Sequence, residues 1–251
     1  MKKRCVMLLA LFLSIGVICG TAHAGKIVLA NDEWTLSNSG YSSVNDPDQF
    51  AKNVASWFTG GMGGGNFLAY SNNFGLTGSQ LSNTMTGAGH TWTVSTAVTF
   101  DLATLSSYDG VFLAGYYVNN QVLIDYVNNG GNIYLAGGTG VGGAAYEAGQ
   151  WNTFLNTFGL GFGTFYNGVG GNIAISSTHP IFASVDHLYQ SNGSDTLDLN
   201  AGDLRNQVLI SQSGHGLYAV YDSAVPLPPS ILLLGTGIIG LVGSRVLRKK
   251  N

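Results

Sequence analysis

Residues 108–115 (YDGVFLAG), 119–129 (NNQVLIDYVNN), Gly130-Gly131 and 132–136 (NIYLA) form the stretch that decides the fold. The first and last segments are short, nearly continuous apolar runs, the pattern of strands buried on both faces of a parallel sheet. Between them, Val122, Leu123, Tyr126 and Val127 fall on one face of a helix. The glycine pair supplies the left-handed conformation that stops it. Strand, helix and strand in this order make a βαβ unit, whose crossover is right-handed.

The same alternation extends in both directions. Residues 26–30 (KIVLA) read as another buried strand. Residues 46–58 open with Asp46 as N-cap and Pro47 at the first helical position, and Phe50, Val54, Trp57 and Phe58 keep helical spacing. The glycine-rich stretch 60–65 ends that helix. A strand is expected at 67–70, a helix at 77–86, a Thr- and Val-rich strand at 91–98 and a helix at 143–158. Then follow a strand at 172–176, a turn at His179-Pro180 and a final strand pair at 207–211 and 216–221. These elements predict one α/β domain over 25–224, a three-layer sandwich with a mainly parallel central sheet. The many Gly and Asn residues suggest an all-β sandwich as the rival, and the amphipathic helices speak against it.

Charge is scarce and segregated. Of 251 residues 45% are hydrophobic and 9% charged, and the formal net charge is −3. Lys2, Lys3 and Arg4 stand at one end, and Arg245, Arg248, Lys249 and Lys250 at the other. Only Lys26, Lys52 and Arg205 lie between, against all thirteen acidic residues, a balance of −10. Nucleic acid is thereby excluded as a partner, because phosphate binding needs clustered cations.

The two ends read as addresses. A basic start, an apolar run and the small residues Ala22 and Ala24 before Gly25 make residues 1–24 a secretory signal peptide, the substrate of the Sec translocon and signal peptidase. Both cysteines, Cys5 and Cys19, lie in that segment, so the mature domain has neither thiol nor disulfide. At the other end, the apolar stretch 231–247 spans about 25 Å as a helix, a marginal bilayer span with Arg245 snorkelling. The basic cluster behind it acts as a stop-transfer signal and keeps the acidic domain outside.

Val225-Pro226-Leu227-Pro228, the apolar stretch and the basic end together resemble the PEP-CTERM sorting signal of Gram-negative bacteria, with Leu227 where that motif usually has Glu. The resemblance implies recognition by an exosortase, a transient inner-membrane anchor through 231–247, and delivery to the cell surface or the exopolysaccharide of a biofilm matrix. The middle domain is similar to class I glutamine-amidotransferase-like and ThuA-like α/β domains. That similarity rests on KIVLA with Asn31-Asp32-Glu33-Trp34, on YDGVFLAG, on 125–138, on 178–185 and on 216–222. Catalytic members carry a Cys on the turn after a central strand. Here that turn is Thr139-Gly140-Val141-Gly142, so the triad is absent.

Several residues are candidates for chemistry. Asp32, Glu33 and Trp34 follow the first strand, where α/β sheets bind ligands, and with His179 they form the candidate ligand site. His90, His187 and His215 lack metal-ligand spacing, and no metal or cofactor is expected. Thr139 and Ser213 have little support as nucleophiles. Residues 138–143 match G-x-G-x-x-G, but no acidic residue lies near position 160 to bind a ribose. Asp195, Asp198, Asn200 and Asp203 form an acidic loop without EF-hand spacing, read as solvated rather than calcium-binding. Of the tryptophans, Trp57 and Trp151 read as core, and Trp34 and Trp92 as rings able to stack on sugars. The sum is an exosortase-sorted, non-enzymatic surface or matrix protein with a structural or binding role. The alternatives are an extracellular hydrolase acting on polysaccharide and a carbohydrate-binding module.

Overall fold

The computed structural model describes residues 25–42 and 44–224. Strand β1 (Lys26–Ala30) leads through a 3-10 turn and the single-turn helix α1 (Asn38–Tyr41) into α2 (Pro47–Thr59) and β2 (Asn66–Ala69). Helices α3 (Phe74–Thr77) and α4 (Ser79–Gly87) precede β3 (Thr91–Val94), and α5 (Leu102–Leu105) precedes β4 (Gly110–Ala114). Helix α6 (Asn120–Asn128), β5 (Asn132–Ala136) and α7 (Ala144–Leu155) complete the parallel part. Six strands follow: β6 (Leu160–Tyr166), β7 (Gly170–Ala174), β8 (His187–Ser191), β9 (Ser194–Asp198), β10 (Asn206–Gln212) and β11 (His215–Asp222).

The main sheet has the order β10-β11-β1-β5-β4-β2-β3. The run β1-β5-β4-β2-β3 is parallel, while β11 joins β1 and β10 joins β11 antiparallel. The fold is therefore mixed α/β with a mainly parallel central sheet. Alternate residues of each strand feed two cores. Val28, Phe112, Tyr134 and Tyr218 meet Phe50, Val54 and Phe58 of α2 and Leu81 and Met85 of α4. Ile27, Leu29, Leu113 and Leu135 meet Leu123 and Val127 of α6 and Trp151, Phe154 and Leu155 of α7 on the other face. Burying each large apolar side chain contributes about 1.5–3 kcal/mol.

Local chemistry explains most boundaries and three departures from expectation. Asn119 caps α6 by accepting from the Gln121 amide at 2.9 Å, and Gly130 (φ 91°) follows its end. Asp46 makes no side-chain cap for α2; its Oδ2 accepts instead from the amides of Asp186 (2.8 Å) and His187 (3.2 Å), tying the helix start to β8. The helix expected at 77–86 is divided at the extended Gly78, where the Asn38 side chain takes over the Gln80 amide at 3.1 Å. The helix expected at 143–158 ends at Leu155 and passes into a 3-10 turn closed by Gly159 (φ 73°). Two small antiparallel sheets, β6 with β9 and β7 with β8, were not expected from the sequence.

Among the described residues, no helix is long and apolar enough to cross a membrane. The signal peptide at 1–24, the motif at 225–228, the membrane helix at 231–247 and the basic cluster at 245–250 lie outside the described residues.

Candidate functional site

The loop after β1 turns toward the α2 face, and the loop after β5 toward the α7 face. Adjacent parallel strands whose connections leave to opposite faces open a crevice at their carboxyl ends, the usual ligand position in α/β sheets. Asn31, Asp32 and Glu33 stand on one side of it, and Gly138 and Thr139 on the other.

Three buried carboxylates meet here. Asp32 is fully buried; its Oδ1 accepts from the Trp34 amide at 2.8 Å, its Oδ2 from that of Ser191, and the Gly193 amide adds a third bond. Burial nonetheless pushes its pKa up to about 6. Glu147, in the first turn of α7, reaches back to the Gly138 amide (2.7 Å), the Thr139 amide (3.3 Å) and the Thr139 hydroxyl (2.7 Å). Its pKa is also raised, first by burial. Glu33 differs, because its carboxylate accepts from Asn73 Nδ2 at Oε2, while Oε1 has no hydrogen-bond partner among the described residues. Burial, with the Asp32 and Glu147 charges added, raises it to about 7.

Backbone packing sets the seam under these groups. Gly138 has φ +69°, and a Cβ there would lie 2.8 Å from the Gly193 Cα. A Cβ on Gly193 would lie 2.1 Å from the Asn31 carbonyl oxygen. Only glycine lets the β5 loop, the β8–β9 turn and the end of β1 approach this closely. Asn31, next to Asp32, is fully buried with both amide atoms unpartnered.

Aromatic side chains rim the crevice. Trp34 is half-exposed and packs edge-on against Phe74 at 4.9 Å and Tyr189 at 6.2 Å between ring centroids. On the α7 side Tyr117 packs against Tyr146 at 5.5 Å, and its hydroxyl donates to the Val141 carbonyl at 2.9 Å. Tyr166 lies close enough to Glu147 and Glu33 for their charges to raise its pKa further, after burial. Phe74, Val141, Tyr146 and Tyr166 are exposed.

The candidate ligand site is thus only partly assembled. Asp32, Glu33 and Trp34 come together, while His179 lies at the opposite end of the sheet. There it packs against Trp57 at 5.1 Å and senses Asp222 and Lys26. The length of β1, about 13 Å at 3.3 Å per residue, separates it from the crevice. His90 binds the Gly65 amide at 3.1 Å, His187 is exposed at the start of β8, and His215 pairs with Asp195 at 2.9 Å. Ser213 (φ 54°) occupies the β10–β11 turn, two residues before His215. Thr139 donates its hydroxyl to Glu147.

Trp92 is half-buried like Trp34; it packs edge-on against Phe112 at 5.0 Å at the margin of the core, with its indole nitrogen buried. In the acidic loop, Asp198 accepts from the amide of Asn200 and the side chain of Asn206, and Asp203 pairs with Arg205. Among the described residues no group of three or more His, Cys, Asp or Glu side chains is placed to hold a metal ion. In the G-x-G-x-x-G loop the Gly138 and Thr139 amides, the donors that would meet a phosphate, are already taken by Glu147.

Glu147 and Asn73 are the residues that sequence reasoning missed. The signal for Glu147 was a carboxylate in the first helical turn behind a Gly-Thr loop, the arrangement in which a helix start binds its own anion. Asn73 carried no comparable signal. It caps α3 through Oδ1 at 2.7 Å from the Gly75 amide, and its other amide atom is thereby aimed at Glu33.

Compared with protein-family models, curated proteins and solved structures, the chain has no significant match in any of the three.

Proposed function

We propose that the chain is exported and sorted to the cell surface or exopolysaccharide matrix, and that residues 25–224 serve there as a glycan-binding domain without catalytic activity. Export and sorting rest on the sequence of the two ends, with the Sec translocon, signal peptidase and an exosortase as partners. The amidotransferase-like, three-layer reading of the domain rests on the strand and turn residues quoted above.

One observation carries the binding role: half-buried and exposed aromatic rings lie about buried carboxylates whose oxygens are committed, except at Glu33 Oε1. Rings such as Trp34 and Tyr166 offer faces and edges to the apolar side of a sugar. Glu33 offers an acceptor, or when protonated a donor, to a hydroxyl. A polysaccharide hydrolase needs two carboxylates free to act as acid and as base or nucleophile. The amides on Asp32 and Glu147 leave one such group, which favours binding over hydrolysis.

The test is mobility of the secreted protein in gels containing matrix polysaccharide. Trp34→Ala and Tyr166→Ala are expected to weaken retention about tenfold each, the loss of roughly 1.4 kcal/mol of stacking. Undiminished retention in both variants would sink the binding site. Sorting is tested separately by mass spectrometry of surface material. A released mature form that still carries peptides beyond Arg245 would overturn it.

A further inference from the structure

Two cavities open beside one another at the amino end of the main sheet, the end away from Asp32 and Glu33. The first holds about 500 Å³ and the second about 350 Å³, the size of small-molecule sites. Consecutive residues form the partition: Asn129 and Asp222 line the first, Asn128 and Tyr221 the second.

The two are built alike. In the first, Lys26 stands opposite Asp222 in the β1–β11 pairing, Asp109 adds a second carboxylate, and Tyr108 and Tyr126 supply ring surface. In the second, Arg205 donates to Asp203 at 3.0 Å from Nε and 2.6 Å from Nη2, and lies 5.7 Å over the Tyr221 ring. Asn129 and Asn132 add amides to the first wall, and Asn156 and Asn200 join Asn128 in the second. Asn132 is 6% exposed. Its Nδ2 donates to the Asp109 carbonyl at 2.7 Å, while its Oδ1 has no hydrogen-bond partner among the described residues.

We propose that the two cavities form one binding site for a neutral polysaccharide chain, separate from the aromatic rings at the carboxyl end. Three carboxylates stand against two cations in the walls, in a domain whose balance is −10, so a uronate chain is repelled. A neutral sugar meets no such penalty. Carboxylates and amide oxygens accept from its hydroxyls, Lys26, Arg205 and the amide N–H groups donate to them, and the tyrosine rings cover its apolar faces. A hydroxyl in the first cavity also offers the buried Asn132 Oδ1 the donor it lacks. Adjacent cavities suit a polymer better than a single sugar, because once one unit is held the next engages as an intramolecular step. The choice of ligand rests on the matrix location proposed above; the cavities do not. With the rings at the carboxyl end occupied as well, one domain bridges two chains.

No cysteine lies between residues 25 and 224, so single introduced thiols report the site. In the full-length chain carrying Cys5→Ser and Cys19→Ser, Ser106→Cys and Asn200→Cys are introduced one at a time at exposed positions of the two walls. Val94→Cys, at a position 42% exposed on β3, is the control. Thiol labelling is timed with the neutral and the uronate-bearing fractions of matrix polysaccharide, separated by anion exchange. At ten times the dissociation constant of the neutral fraction, labelling at both wall positions is expected to slow about tenfold, with no change at the control. The slowing should persist when Trp34→Ala and Tyr166→Ala are added, which separates this site from the rings at the carboxyl end. Unchanged labelling at either wall position overturns the proposal. So does equal slowing at the control, slowing by the uronate fraction alone, or slowing that disappears with Trp34→Ala and Tyr166→Ala.

Discussion

At the carboxyl end of the sheet three buried carboxylates meet with no cation among them, whereas at the amino end Lys26, His179 and Asp222 share a half-buried cluster of mixed sign. The first end is held by fixed donors: amides of Trp34, Ser191, Gly138 and Thr139 point at oxygens that burial would otherwise neutralise. The second is held by side chains, with Lys26 donating to the Trp57 carbonyl at 2.5 Å and lying over its ring at 5.0 Å. Backbone amides cannot turn away, so removing an acceptor leaves them stranded. Partly exposed side chains can turn to water, so changes at the amino end should cost less.

The largest effect is expected from Glu147→Ala. It strands the Gly138 amide, the Thr139 amide and the Thr139 hydroxyl in a nearly water-free site. At about 1–3 kcal/mol for each buried unsatisfied group, a loss of at least about 3 kcal/mol is expected. For a domain of this size that lowers Tm by roughly 10 °C. Glu147→Gln keeps one acceptor and relieves the repulsion from Asp32, so its loss should stay under about 1.5 kcal/mol. Denaturant melts of the two variants separate the explanations. Equal losses would mean that charge, and not the capture of amides, matters here.

Next in size is the pH response of the carboxyl end. The pKa of Asp32 rises from an ordinary 3.8 to about 6, and that of Glu33 from 4.5 to about 7. Between pH 4 and 7 the folded state therefore holds more protons than the unfolded one, and stability falls as pH rises through that window. For Asp32 alone the change is about 3 kcal/mol, at 1.4 kcal/mol per tenfold change in proton affinity. Asp48, Asp101 and Asp203, whose pKa values are lowered, act with the opposite sign, below about pH 4. Denaturation midpoints at pH 5 and pH 8 test this. A midpoint that rises toward pH 8 would contradict the sign.

The two ends also differ in how far the sequence disclosed them. The βαβ unit at 108–136 was legible because both strands are buried on two faces, so apolar runs, a helical stripe and a glycine stop coincide. Asp32 and Glu33 were legible because a polar pair directly after a buried strand must lie at its carboxyl end. The end of the sheet at which His179 sits was not legible. That depends on the path of 160–185, through short strands whose partners lie far along the chain. For the same reason Gln190 gave no hint that it would donate to the buried Tyr218 hydroxyl. The contact of Trp92 with Phe112 was not legible, because an edge strand with period-2 alternation does not say which of its faces is covered.

The smallest expected effect sharpens the contrast most. Burial lowers the pKa of His179, so the folded state binds fewer protons there than the unfolded chain does. Its contribution is full above about pH 6.5 and is lost as pH falls below that value. His90, also lowered by burial at the amino end, has the same sign. Acidification from pH 7 to pH 5 therefore strengthens the carboxyl end while it weakens the amino end, and the measured slope is the difference. His179→Asn keeps a side-chain acceptor for the Ile181 amide, which His179 Nδ1 meets at 3.4 Å, and removes the titration. The variant should lose little stability at pH 8 and gain more than the parent on going to pH 5. An unchanged slope would mean that His179 stays neutral without cost, and that the amino end owes its pH response to His90 alone.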